Sequence, residues 1–483
     1  MKINSVRNKN SQTPSSRGLT AGSSDVRGCK ILDPAVKPRD DNNFSSAQKK
    51  FKFFYIIFIL FSGLNLAYAK PILNINHWQT GNGALVYFVK AAQLPMLDVR
   101  VLFNAGSRQD DRLYGIANLT ARILDEGTDH FNADQIAEKF DKLGTQFHIN
   151  VNRDMSMLSL RCLTKKTPLS LSINLLHDII SNPIFPPKEL RRIKAQTLTE
   201  IIAQLQFPTI FATLNFYKTL YGNAPYAHSP LGTLVNVKSI KPKDIIKFYQ
   251  KHYTARNAII VLVGNISLQT AHILANKITA NLPQGKPIPL LPQTQPITQN
   301  LTKHIPHPGT QSYIRIGCIG ISLNDKNYFP ILVGNHILGS GILVSRLFNE
   351  VRQKRGLSYS VKSKFILLKN RGPFIILLQT KNKSKNQALH ITKKVLTTFI
   401  KTGPTSQELQ DAKKFLLGSF ALQRASFAKI ANLLSIMAFY KLPLDYLDTY
   451  KQNVNAVTVR DVKNAFQKII GQQKLITISV GSP

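Results

Sequence analysis

Two histidines three residues apart, His304 and His307, invite a metal reading, because imidazoles one helical turn apart can share a cation. Pro306 stands between them and opposes the helix that would align them, so no metal role is assigned. The other histidines are dispersed, and neither a phosphate-binding glycine fingerprint nor a nucleophile elbow occurs. Cys29 lies near the start, while Cys162 and Cys318 sit in alternating apolar runs far apart, which builds no thiolate metal site. Two buried free thiols are expected at Cys162 and Cys318, with a bridge between them the alternative in an oxidising compartment. A further stretch carries potential donors: Leu338-Gly339-Ser340-Gly341, then Ser345-Arg346-Leu347-Phe348, then Glu350 through Ser360. From residue type alone it reads as a mobile glycine loop, a charged helix and a strand start, with Arg352 on a solvated face and Tyr359 half-buried.

The elements that would position these residues alternate between strand and helix. Leu97, Val99, Val101 and Phe103 keep a period of two, as do Ile314, Ile316 and Cys318, so each set lines one face of a strand. Ile136, Phe140 and Leu143 follow helical spacing up to Gly144, and Thr167 with Pro168 predicts another helix start, with Thr167 as N-cap. Five prolines between Pro283 and Pro296, among polar residues without periodicity, mark a linker, which we place over residues 283–304.

The segments on either side of that linker repeat each other. Asp244, Gln250, Lys251 and Gly264 recur as Asp461, Gln467, Lys468 and Gly481 at one offset of 217 residues, and Glu189-Leu190 recurs as Glu408-Leu409. A period this long implies duplicated domains rather than a solenoid of ~20 to 50-residue repeats. The expected architecture is α+β, with two homologous domains spanning 70–282 and 305–483, each a mostly antiparallel sheet with helices packed on one face.

The run Gly115-Ile116-Ala117-Asn118-Leu119-Thr120-Ala121-Arg122-Ile123-Leu124-Asp125-Glu126-Gly127-Thr128 resembles the active-site helix of insulinase/pitrilysin-type zinc peptidases. It follows Asn104-Ala105-Gly106-Ser107-Arg108 and precedes Ala255-Arg256-Asn257, as in that family, and the likeness extends over both halves. In active relatives the helix carries H-x-x-E-H, whose histidines bind zinc while the glutamate acts as base and a distant glutamate completes the ligand set. Here Asn118 and Arg122 replace the histidines, Ala121 replaces the base, and Glu200 alone remains, while Ile193 stands where a supporting glutamate is expected. Arginine cannot coordinate a cation, and one carboxylate does not hold a catalytic zinc. The resemblance therefore implies a non-catalytic homologue with no metal of its own, and Glu200 is expected to be solvated or paired, with Arg122 as the candidate partner.

In the second half, Arg352 and Tyr359 match a pair seven residues apart that resembles the family's substrate-contacting arginine and tyrosine. Both donate hydrogen bonds, which suits the carbonyls of a bound peptide. By this resemblance the chain is the counterpart of the inactive subunit of mitochondrial processing peptidase and of bacterial paired-gene peptidases. Its implied partner is a catalytic subunit of the same family carrying the zinc, and its implied ligand is a peptide substrate. A binding or assembly protein of the cell envelope that kept the fold without peptidase function is the alternative.

Charge and leader complete the reading. The chain of 483 residues carries a formal charge of +38, and residues 1–69 hold 11 basic and 4 acidic groups, leaving 52 and 21 beyond. The basic residues are scattered rather than grouped with aromatics, so no specific nucleic-acid partner is inferred, and attraction to an anionic membrane surface is expected to be weak. Residues 1–48 read as a disordered leader or an over-extended start. Residues 49–69 read as a signal peptide: Lys49, Lys50 and Lys52, an apolar run from Phe53 to Phe61, and Ala67-Tyr68-Ala69 at the cleavage point. The expected location is periplasmic or otherwise exported.

Overall fold

The computed structural model describes residues 71–289, 292 and 294–482. The leader and signal-peptide readings lie outside these residues. Residues 70–483 form one compact unit.

The first half begins with β1 (Asn76–Gln79), β2 (Leu85–Lys90), β3 (Met96–Phe103), helix α1 (Ile116–Arg122), α2 (Ala133–Lys142), β4 (Gln146–Val151) and β5 (Ser156–Leu163). It continues through α3 (Lys166–Ser181), α4 (Pro187–Gln206), α5 (Pro208–Tyr221), α6 (Leu234–Ser239), α7 (Pro242–His252), β6 (Ala258–Gly264) and α8 (Leu268–Thr279). The second half holds β7 (Leu301–Pro306), β8 (Gln311–Ile319), α9 (Tyr328–Asn335), β9 (Ser360–Phe365) and β10 (Pro373–Lys381). It closes with α10 (Lys385–Thr402), α11 (Ser406–Leu422), α12 (Phe427–Tyr440), α13 (Tyr446–Ala456), α14 (Val459–Phe466) and β11 (Ile476–Gly481).

The strand order is β1-β2-β6-β3-β5-β4 in the first sheet and β7-β11-β8-β10-β9 in the second. In each sheet a single parallel pair occurs, β2 with β6 and β7 with β11, and every other neighbour is antiparallel. Apart from the extra edge strand β1, the second sheet repeats the first strand for strand. The duplicated residues fall in equivalent places: Asp244 and Asp461 each accept from the backbone N–H three residues earlier at a helix start, and Gly264 and Gly481 each end the strand that follows.

Local rules explain the elements. Leu97, Val99, Val101 and Phe103 are fully buried on β3 and face helices of their own half. Asn132 caps α2 by accepting from the Gln135 N–H, whose side chain in turn accepts from Asn132 N–H, and the helix stops before Gly144 in the left-handed region (φ 61°). Helix α3 begins at Lys166, with Lys165 rather than Thr167 in the capping position. Pro168 in the first turn lacks an N–H, so one of the donors that a cap would satisfy is already missing. The segment assigned to the linker is shorter than expected, since its last residues already pair as β7 against β11, Leu301 opposite Ile476. The exposed polar pattern of this edge strand hides it from a hydrophobicity reading.

Each sheet carries its own half's helices on one face and a helix of the other half on the second face. Helix α12 covers Leu102, Val261 and Val263 on the back of the first sheet, while Ala212, Phe216 and Leu220 of α5 cover Ile375, Ile476 and Ile478 on the back of the second. The exchange leaves strands such as β6 buried on both faces, which is why Ala258–Gly264 is an unbroken apolar run. Arg315 on β8 reaches α5 with hydrogen bonds from Nε to Thr213 Oγ1 (2.9 Å) and from Nη2 to Thr209 O and Oγ1 (both 2.7 Å). Burial holds this guanidinium below its ordinary range, at about 10.

Asp154, fully buried between β4 and β5, ties the same junction together. It accepts from Tyr226 OH (2.6 Å) and Tyr440 OH (2.9 Å) and from the Lys369 backbone N–H (2.9 Å), and Arg108 Nε lies 3.4 Å away. One carboxylate thus collects donors from both halves. Cys162 and Cys318 are buried free thiols on different sheets, and burial pushes each up to about 12.

Candidate functional site

Helix α1 is set by its N-terminus. The buried Asp110 carboxylate accepts from Gly115 N–H (2.7 Å) and Ala117 N–H (3.0 Å), two donors with no partner inside the helix. His228 Nε2 lies 3.0 Å from the same carboxylate, and its ring stacks on Tyr114 at 4.2 Å. Burial pushes the Asp110 carboxyl up, against the lowering effect of His228 and the two amides. Gly115 has φ 103°, and a Cβ there would come within 2.8 Å of the Leu231 carbonyl, so only glycine fits.

This framework presents Asn118, Ala121 and Arg122, and none of them can serve zinc. Asn118 is nearly buried with no hydrogen-bond partner for Nδ2, and Ala121 is wholly buried in the packing of the helix. Arg122 turns to α4, where its Nη2 donates to Glu200 Oε1 (2.6 Å) and its Nη1 to Glu200 Oε2 (3.1 Å) and Thr197 Oγ1 (3.0 Å). The forked pair leaves the Glu200 carboxylate already bound by a guanidinium. Ile193, about two turns before Glu200 on α4, is buried in the core instead of supporting a ligand. This donor set does not fit zinc: one carboxylate is present, and it is already neutralised by a guanidinium. Among the described residues no cluster of three or more His, Cys, Asp or Glu side chains is placed to hold a metal ion. His304 lies on β7 with Nδ1 3.0 Å from Ser479 Oγ, and His307 follows the strand with Nδ1 2.9 Å from Pro308 O.

The second site is organised differently from its bare sequence reading. Leu338–Ser340 belongs to a π-helical turn, His336–Ser340, rather than to a loop. Gly339 presses on β9, where a Cβ would come within 2.6 Å of the Ser363 backbone nitrogen, so the glycine serves close packing. A second π-helical segment, Phe348–Gln353, carries Arg352, and the chain turns at Gly356 (φ 60°) to reach Tyr359 just before β9.

Arg352 and Tyr359 meet. The guanidinium lies 5.6 Å from the centroid of the Tyr359 ring and 5.2 Å from that of Phe348. Among the described residues the guanidinium makes no hydrogen bond or ion pair. Tyr359 is 75% exposed, not half-buried, and its hydroxyl is likewise without a hydrogen bond among those residues. Two donors are thus held side by side by ring contacts on an exposed surface, without a protein acceptor among the described residues. No hydrogen bond, ion pair or ring contact connects this pair to Arg122 and Glu200 among the described residues.

Beside Arg352 lies a pocket of about 340 Å³, to which Gly341, Ser345, Phe348, Lys362 and Lys364 also contribute. Sequence reasoning missed the two lysines as site residues. Their signal was present in the alternation Ser360, Lys362, Lys364 on the exposed face of β9, but exposed lysines on an edge strand ordinarily serve only to discourage strand pairing.

Two adjoining segments match family profiles: residues 86–234 match that of insulinase, peptidase family M16, and residues 239–416 that of the peptidase M16 inactive domain. A Helicobacter pylori protein named non-peptidase homolog YmxG is 26% identical over 373 residues, covering 77% of this chain and 85% of its own. A Bacillus subtilis protein named uncharacterized zinc protease YmxG is 25% identical over 353 residues, covering 73% and 85%. A crystal structure from Pseudomonas fluorescens, described as a peptidase M16 inactive domain, superposes with a TM-score of 0.82 at 37% identity, covering 85% of this chain and 99% of that one.

Proposed function

Within the insulinase family, peptidase M16, to which this chain belongs as an inactive homologue, we propose that it is the substrate-holding subunit of an exported heterodimeric zinc metalloendopeptidase. The observation that carries this reading is the contrast between the two halves. In the first, the positions of the zinc ligands are closed by the Arg122–Glu200 pair. In the second, Arg352 and Tyr359 stand together with unused donors on a supported surface. An extended peptide excluded from water needs donors for its carbonyls, and an exposed guanidinium and phenol held side by side can supply them.

In this reading zinc and the general base belong to a catalytic partner of the same family, and this chain supplies no cofactor. The substrates are peptides or unfolded segments. Export follows cleavage after Ala69, so N-terminal analysis of the periplasmic protein is expected to start at Lys70, and retention of the Phe53–Phe61 segment in membranes contradicts a soluble subunit. The heterodimer is tested by purifying the chain under native conditions from its own cells. A partner carrying H-x-x-E-H at near one-to-one stoichiometry supports the assignment. Recovery of the chain alone, together with salt-sensitive binding to polyanions, favours an envelope-binding protein instead.

A further inference from the structure

We propose that the pocket beside Arg352 recognises a carboxylate on the bound peptide, so that the substrates held by this subunit are acidic. The inference rests on the peptide-holding role and adds the chemistry that selects the peptide.

Three cationic residues line the pocket, Arg352 from the π-helical segment and Lys362 and Lys364 from β9, and none of its 13 lining residues is acidic. None of the three has an ion pair among the described residues. The acid nearest in sequence, Glu350, is already engaged by Lys354 (2.6 Å) and Arg355 (2.7 Å), outside this pocket. No lining side chain offsets this positive charge.

The interior adds a second, independent feature. Ser345 is 1% exposed, lines the pocket, and its Oγ has no hydrogen-bond partner. A buried hydroxyl without a partner is uncommon, and this one lies in the wall of the pocket as an unsatisfied donor. Phe348 supplies an apolar wall, which strengthens charge-assisted hydrogen bonds made against it by excluding water. The volume of about 340 Å³ is of the size that takes a small group rather than a folded element. Three cations, an unsatisfied hydroxyl and no acid, set among the apolar Ile342, Leu343, Phe348 and Val361, suit a carboxylate, which either an Asp or Glu side chain or a free peptide C-terminus can supply.

The test measures the binding of unstructured peptides carrying a neutral fluorophore to the full chain by fluorescence anisotropy. It is done at 0.15 M salt, where charges beyond about 8 Å are largely screened. Three peptides differ only in charge: an internal Glu with an amidated C-terminus, Gln with a free C-terminus, and Gln with an amidated C-terminus. The expectation is about tenfold tighter binding of one or both acidic peptides over the neutral one, the size of effect of a charge-assisted hydrogen bond. Which acidic peptide gains identifies the source of the carboxylate. Lys362→Met/Lys364→Met, at two exposed positions, is expected to bring the acidic peptides down to the neutral affinity, and Ser345→Ala to reduce the preference. Equal binding of all three peptides, weakened alike by Arg352→Ala, overturns carboxylate recognition while leaving the peptide-holding role standing. An acidic preference that survives Lys362→Met/Lys364→Met also overturns it, because the preference then arises from the overall charge. Failure of every peptide to bind contradicts the peptide-holding role itself, and this inference with it.

Discussion

Arg122 on α1 and Glu200 on α4 are joined by two hydrogen bonds of 3.1 and 2.6 Å, a fork that ties the two helices together. Both side chains are about a third or more exposed, 33% and 42%, so the pair stabilises the fold only modestly, by about 0.2–1 kcal/mol. Its larger effect is chemical: the Glu200 carboxylate is held as an ion pair.

The first prediction follows from that closure. The chain dialysed against zinc is expected to retain no stoichiometric metal by mass spectrometric analysis, and Glu200→Gln should leave that result unchanged. Asn118→His/Arg122→His releases Glu200 and restores a three-ligand set, and is expected to bind about one zinc per chain. Peptidase activity should stay absent, because Ala121 offers no base and Ile193 no carboxylate to orient a ligand. A tightly held zinc in the unaltered chain, lost on changing Glu200, contradicts the account.

A second prediction concerns the junction of the halves. Asp154→Ala leaves the hydroxyls of Tyr226 and Tyr440 and the Lys369 N–H without their acceptor in a dry environment beside Arg108. The expected loss is about 3–5 kcal/mol, read as a lowered urea midpoint. Asp154→Ala with an unshifted midpoint contradicts the role of this carboxylate as the common acceptor for both halves.

The pH dependence of stability supplies a third. His252 is buried, and this burial, helped by the nearby charges of Lys251 and Arg108 and opposed by a hydrogen bond with the Asn104 backbone, lowers its pKa from 6.5 to about 4. The unfolded chain takes up a proton at this residue below pH 6.5 while the folded chain does not, so the folded state loses stability between pH 6.5 and 4 and the loss levels off below. The contribution is at most about 3 kcal/mol. Thermal unfolding at a series of pH values should show a shallower slope in this window for His252→Gln than for the unaltered chain, and identical slopes contradict the assignment.

Much of this architecture was legible in the chain itself, for physical reasons that differ from place to place. Period-two runs such as Leu97 to Phe103 declare a strand because one face must be buried. The duplication survived in residues with local work to do, Asp244 and Asp461 at helix starts and Gly264 and Gly481 at strand ends. Arg122 as the partner of Glu200 was readable from charge and family position together. The exchange of α5 and α12 between the halves was not, because an apolar helix face shows that it is covered but not by what. Strand β7 was missed because an exposed polar edge has no hydrophobic period, and the pocket beside Arg352 because it needs β9 brought against a π-helical segment distant from it in pattern.

The most direct measurement is steady-state peptide cleavage by the chain reconstituted with the catalytic partner proposed above, comparing the unaltered chain with Arg352→Ala/Tyr359→Phe. Both residues are exposed and their donors are otherwise unused, so the double variant should fold and assemble normally, as checked by circular dichroism and size-exclusion chromatography. Each hydrogen bond lost to a peptide carbonyl is worth about 0.5–1.5 kcal/mol, so together they should lower turnover roughly fivefold or more. Cleavage at the unaltered rate by a correctly assembled double variant would contradict a substrate-holding role for this subunit.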